Sequence, residues 1–119
     1  MERLKSPQEF SLVYRRGRPH FGRYVVVSAL PTDREVSRVG FAVSKKMGNA
    51  VMRNRIKRRL RVILAELEPL VVEGYDFVVG AKRSAPQTDF HQLKQDVWRV
   101  MEGSGFLTRI TGSEGEDNA

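Results

Sequence analysis

Eight side chains stand out for what they could bind: Lys45, Lys46, Arg53, Arg55, Lys57, Arg58, Arg59 and Arg61. They fall in one window, Phe41 to Arg61, that holds no acidic residue. Guanidinium and ammonium groups at this density are phosphate ligands, arginine as a planar fork that can hold two oxygens and lysine as a point charge. The whole chain has a formal net charge of +7, so everything outside the window is net acidic by one. The basicity is local, and local basicity points to a polyanionic partner rather than to general solubility. Placed on a helix, the cations from Arg53 onward repel one another at i, i+3 and i, i+4. They also crowd the N-terminal half, where the macrodipole favours anions. A helix built for stability alone would carry glutamates there. Phosphates would supply the missing negative charge, with the helix N-terminus itself as one phosphate site.

Groups that could make or break bonds are scarce by comparison. His20 and His91 are the only histidines and lie at no metal-ligand spacing. Glu66 and Glu68, two apart, would face different ways on a helix and make a poor acid–base pair. Asp76, Asp89 and Asp96 have no evident partners in the sequence. The absence of cysteine rules out disulfides, thiolate metal sites and a cysteine nucleophile, and agrees with a reducing compartment. No phosphate-binding glycine loop, dinucleotide fingerprint or zinc spacing occurs. The reading is that the chain carries neither catalytic residues nor metal ligands of its own. No apolar run is long enough to cross a bilayer, and MERLKSPQEF has no apolar signal-peptide segment, so a cytoplasmic protein without membrane contact is expected.

The elements that must position the cations can be read from local patterns. Ser6-Pro7-Gln8-Glu9 is a helix start, with Ser6 as cap, Pro7 in the first turn and Glu9 completing a capping box. Phe10, Val13 and Tyr14 share one face of that helix, and Gly17 is a stop. Arg15, Arg16, Arg18 and Arg23 form a second basic cluster, suited in part to a helix C-terminus. Strands are expected over Tyr24–Leu30 and Ser37–Val43, paired as a hairpin through Pro31–Arg34, with His20–Arg23 as a short extra strand or an extension bulged at Gly22. Gly48 breaks the second strand and Asn49 caps a helix running to about Leu67. In it Ile56, Leu60, Ile63, Leu64 and Leu67 form a core-facing stripe, while Arg58 lies opposite. Tyr75–Ala81 reads as a central strand. Lys82–Pro86 is a loop that could add phosphate contacts, and Thr88 is taken as the cap of a last helix lined by Phe90, Leu93, Val97 and Val100 or Met101.

The order α-β-β-β-α-β-α makes an α+β fold, a two-layer sandwich of three helices on a sheet of about four strands. Its strand–helix–strand unit, Ser37–Ala81, should have parallel strands, joined right-handedly by general statistics. Residues 1–110 form a single domain and 111–119 an acidic tail expected to be disordered.

The run Gly40-Phe41-Ala42-Val43-Ser44-Lys45-Lys46-Met47-Gly48-Asn49-Ala50-Val51-Met52-Arg53-Asn54-Arg55-Ile56-Lys57-Arg58 resembles the signature of the bacterial ribonuclease P protein subunit, whose motif is named for the Arg-Asn-Arg core. Size, pI, the early Phe10 helix and the order of elements agree over roughly Leu4 to Leu107. The resemblance implies a protein that binds a catalytic RNA and the 5′ leader of precursor tRNA, and assists RNA-catalysed endonucleolytic removal of that leader. It implies Mg²⁺ held chiefly by the RNA, no obligate protein partner, and a left-handed strand–helix–strand crossover in place of the usual hand. It assigns Lys45, Lys46, Arg53, Asn54, Arg55, Lys57, Arg58 and Arg61 to RNA binding, and Phe10, Tyr14 and Lys46 to the leader. Ser28 departs from relatives that carry an aromatic there. The competing classes are a ribosomal or other RNA-binding protein with no role in cleavage, and a freestanding metal-dependent nuclease, which would need clustered carboxylates.

Overall fold

The computed structural model describes residues 1–108. Its elements are β1 (Glu2–Arg3), α1 (Pro7–Arg16), β2 (Arg18–Phe21), β3 (Val25–Pro31), β4 (Arg38–Ala42), α2 (Ala50–Leu67), β5 (Tyr75–Ala81) and α3 (Phe90–Gly103), with short 3-10 turns at Lys45–Met47, Glu68–Leu70 and Ala85–Gln87. The class is α+β as expected, but the sheet has five strands in the order β1-β4-β5-β3-β2. The strand without a sequence signal is β1, a two-residue edge pairing parallel to β4. The expected tail lies outside the described residues.

The predicted hairpin does not form. Strand β3 pairs antiparallel with β2 and β5, while β4 runs parallel to β5, so β5 separates the two expected partners. The physical reason lies in the connection between them. Thr32 N–H donates to the Gly74 carbonyl at 2.8 Å, Ser37 Oγ donates to the Val72 carbonyl at 2.7 Å, and Tyr75 N–H returns a bond to Ser37 Oγ at 3.0 Å. Residues 32–37 therefore straddle the turn that starts β5 instead of closing on themselves. The parallel β4–β5 pairing is as predicted, and β5 is central, with Phe77, Val78 and Val79 at most 1 % exposed.

Residues of opposite parity cover the two faces. Val25, Val27, Ala29, Val39, Phe41, Phe77 and Val79 pack against the predicted α2 stripe and against Leu93, Val97, Val100 and Met101 of α3, which makes the main core. Among the described residues the other face is covered by α1, whose Val13 meets Leu4 and Val78, with Phe10, Leu30 and Ala42 at the margin. The sandwich of sheet and helices thus gains a short third layer. Gly17 ends α1 in extended backbone rather than in a left-handed conformation: a Cβ there would come within 2.6 Å of both the Ala29 and Val13 carbonyl oxygens. At α3 the cap is Asp89, whose side chain accepts from Gln92 N–H at 2.8 Å, not Thr88. Thr88 closes the preceding 3-10 turn.

The capping box at α1 is present as read, and Glu9 does more than cap. Its Oε1 accepts from Lys5 and Ser6 N–H, and its Oε2 from Arg38 Nη1 at 2.8 Å. Arg38 in turn holds Asp76 bidentately at 2.9 and 2.7 Å, so a three-residue ionic link fastens α1 to β4 and β5. The two backbone donors, then Arg38, hold the Glu9 carboxyl at about 2, down from its ordinary 4.5. A depressed carboxylate contributes stability above its unfolded pKa and loses it as pH falls through the folded value. The midpoint of thermal unfolding should therefore drop as pH falls from 4.5 to about 2, and Glu9→Gln should flatten that fall. Parallel curves for the two proteins would show that Glu9 plays no part in acid stability.

Candidate nucleic-acid interface

Helix α2 presents the cations because its apolar stripe is fully committed. Ile56, Leu60, Ile63, Leu64 and Leu67 are each at most 3 % exposed, which fixes the rotation of the helix against the sheet. Asn54, Arg55, Arg58 and Arg61 then face solvent, and Arg53, Lys57 and Arg59 are half-buried on the flanks. Asn49 caps the helix as predicted, accepting from Met52 N–H at 2.9 Å. Lys45 and Lys46 lie exposed on the 3-10 turn between β4 and α2, which Ser44 caps by accepting from Lys46 N–H. Gly48 joins the two with a φ of +129°, a conformation that a side chain would strain.

None of the eight cations forms an ion pair among the described residues. Two make hydrogen bonds to backbone. Arg53 Nη1 donates to the Gly48 carbonyl at 3.2 Å, which holds the turn to the helix, and Arg59 Nη1 donates to the Thr88 carbonyl at 3.3 Å, on the α3 side. Arg59 is thus turned away from the exposed fan.

The leader residues inferred from the resemblance lie on another face. Phe10 of α1 rests on Gly40 of β4 so closely that a Cβ at Gly40 would fall 2.4 Å from its ring. It is half-buried, whereas Tyr14, one turn on, is 54 % exposed, and partial desolvation raises the pKa of its hydroxyl. Strand β4 runs from beneath Phe10 towards Lys45 and Lys46, so the aromatic and cationic positions are linked by one strand. Ser28 is buried at 6 % exposure and offers no surface for stacking.

The carboxylates that lacked partners in the sequence have structural ones. Asp76 is held by Arg38, and the buried Asp96 accepts from the N–H groups of Arg23, Tyr24 and Val25. Glu66 pairs with Lys94 at 2.8 Å, and His20 packs edge-on against Phe106. In the Lys82–Pro86 loop, Lys82 Nζ donates to the Gly22 carbonyl at 3.0 Å and Arg83 is exposed. Sequence reading did not single out two residues near the open sheet face: Arg38, hidden in an ordinary strand pattern, and Phe21, whose exposure depends on its being in an edge strand.

A small α+β domain with an unpaired cationic helix on one side and a half-covered sheet on the other is, by class, a nucleic-acid-binding protein. The family model described as Ribonuclease P matches residues 1–104. The ribonuclease P protein component of Bacillus cereus is 38 % identical over 112 residues, covering 93 % of each chain. That of Natranaerobius thermophilus is 35 % identical over 106 residues, covering 89 % of this chain and 92 % of its own. Among solved structures, the RNase P protein of Staphylococcus aureus superposes with a TM-score of 0.83 at 28 % identity, covering 91 % of this chain and 99 % of that one. The Thermotoga maritima RNase P protein gives 0.79 at 26 %, over 87 % and 97 %. The chain belongs to the ribonuclease P protein family, the protein subunits of the RNA–protein endoribonuclease that matures the 5′ end of tRNA.

Proposed function

We propose that the exposed face of α2 and the Lys45–Lys46 turn dock on the catalytic RNA, and that the α1 side of the sheet holds the 5′ leader of precursor tRNA. The observation that carries this is the set of seven cations, Lys45, Lys46, Arg53, Arg55, Lys57, Arg58 and Arg61, without an ion pair among the described residues. Arg53, Asn54, Arg55, Lys57, Arg58 and Arg61 with Lys45 and Lys46 take the RNA; Phe10, Tyr14 and Lys46 border the leader. Stacking on an exposed ring tolerates any base, which suits a leader of variable sequence. Among the described residues no three His, Asp or Glu side chains gather as a metal site, so these residues do not fit a protein-held ion, and the Mg²⁺ is assigned to RNA phosphates. The chain works in the cytoplasm with no obligate protein partner.

Reconstitution with a catalytic RNA at low Mg²⁺ tests the reading: leader removal should require both components. A protein that merely coats RNA would leave cleavage unchanged. Salt gives a second measure. If about six phosphates are neutralised, affinity for the RNA should fall on the order of 10³-fold or somewhat less between roughly 50 and 200 mM salt. A flat titration would reduce the basic helix to a solvated surface.

A further inference from the structure

We propose that Phe21 is a stacking platform for one base of the precursor-tRNA leader, carrying the leader path beyond α1 to the β2 edge of the sheet. This rests on the assignment of the α1 side of the sheet to the leader.

The face under α1 consists of cross-strand rows. One row is Gly40, Val78, Ser28 and Pro19, on β4, β5, β3 and β2 in turn. Helix α1 covers most of it: Phe10 sits on Gly40, and Val78 and Ser28 are 1 % and 6 % exposed. The next row is Ala42, Gly80, Val26 and Phe21. Its first three residues are half-buried, and Phe21 is 71 % exposed. The row is a shallow floor of small side chains that starts where β4 leads into Lys45 and Lys46 and ends at an exposed ring. Three strand spacings separate its ends, roughly 14 Å.

A phenyl ring this exposed adds little to the core, yet the turn that follows it is fixed on every side. Gly22 N–H donates to the Val25 carbonyl at 2.7 Å, Lys82 Nζ to the Gly22 carbonyl at 3.0 Å, and Ser84 Oγ to the Arg23 carbonyl at 2.9 Å. The Asp96 carboxylate accepts from the N–H groups of Arg23, Tyr24 and Val25. Phe21 is thus presented by a preorganised edge, and little ordering remains to be done on binding. Two residues on, Arg23 is exposed and has no ion pair among the described residues, its guanidinium lying over the Tyr24 ring at 5.6 Å.

An exposed ring with an exposed guanidinium two residues away suits a partner with free aromatic faces and anionic links, which is single-stranded RNA. A duplex keeps its base faces stacked internally and offers the ring no partner. The continuity of the row with the α1 cleft makes that strand the leader. Ser28 is buried and has no ring, so the exposed aromatic of this sheet lies one strand further out.

The test uses the protein with its catalytic RNA and measures Kd for mature tRNA and for precursors with stepwise longer leaders. Phe21→Ala and Phe21→Leu should weaken long-leader substrates by roughly 5- to 100-fold, the range for loss of one base–aromatic stack, and leave mature tRNA and the shortest leaders unchanged. Phe21→Trp should restore binding. Tyr14→Ala, run in parallel, separates the two levels of the argument. Leader dependence in Tyr14→Ala but not in Phe21→Ala would overturn the Phe21 platform and leave the α1 cleft standing. Equal weakening of every substrate by Phe21→Ala would place the ring against the tRNA body or the catalytic RNA, and also overturns the proposal. No leader dependence in either variant would remove both assignments.

Discussion

Replacing Arg53, Arg55 and Arg58 together by lysine is expected to weaken binding to the catalytic RNA roughly 100-fold, if each lost fork costs about 1 kcal/mol. Net charge is unchanged, and helix propensity changes by no more than tenths of a kcal/mol. Arg55 and Arg58 are exposed, so the fold should survive, and among the described residues the side-chain hydrogen bond affected is that of Arg53 to Gly48. The salt dependence makes the result decisive. Its slope counts neutralised phosphates, so it should be the same in both proteins while affinity at every salt concentration falls. Arg59→Lys is the control, because Arg59 points to the Thr88 carbonyl and not into the fan, and its RNA affinity should stay near that of the parent. Small and equal effects from both variants would mean that the helix acts as a diffuse polycation, without docking geometry.

The features that could be read from the sequence are those set within one turn of chain. Ser6, Pro7 and Glu9 specify the start of α1, and Asn49 that of α2, because a cap needs only its own helix. The α2 stripe follows from helical periodicity alone, and once it is buried the cations have only the outer face left. Strand neighbours are different. The alternation in Val25–Leu30 and Arg38–Ala42 says which residues face the core, but it is the same whether the strands touch or a third lies between them. Only the bonds from Thr32 and Ser37 to residues 72–75 decide that, and they join positions far apart in the chain. The cap of α3 lies one residue past Thr88 for a local reason: Thr88 and Asp89 are both good caps, and the 3-10 turn at Ala85–Gln87 uses the first.

The same distinction explains why the candidate site was half legible. Lys45 to Arg61 is contiguous, so its density is visible in the sequence. The open row Ala42–Gly80–Val26–Phe21 draws one residue from each of four strands and exists only through their register. Phe21 lies in a polar stretch, Arg18 to Arg23, that gives no sign of a stacking ring. Its exposure follows from the place of β2 at the sheet edge. The partners of Asp76 and Asp96 likewise come from distant segments, and it is Asp96 that couples α3 to the β2–β3 edge.

Asp96→Ala should accordingly give the largest stability loss of any single substitution considered. The carboxylate is 1 % exposed and accepts from three successive backbone N–H groups at 2.8, 2.7 and 3.1 Å. Arg99 approaches it only to 3.7 Å, with a side chain 71 % exposed, so the backbone donors dominate its environment. Alanine strands those donors where water reaches them poorly, at about 1–3 kcal/mol for each one left unsatisfied. Partial relaxation brings the total to about 3–5 kcal/mol, a large share of a small domain's ~5–15 kcal/mol. The midpoint of thermal unfolding should fall by on the order of 10–25 °C. Asp96→Asn keeps the shape and one acceptor oxygen, and should lie between the two. Gly22→Ala should destabilise the same corner, since its Cβ would fall 2.5 Å from Asp96 Oδ2. Below their melting points, both Asp96 variants should also bind long-leader substrates less tightly, because Phe21 is then no longer held in place. A shift of less than about 3 °C for Asp96→Ala would mean that the turn's N–H groups find water and that Asp96 does not hold the edge.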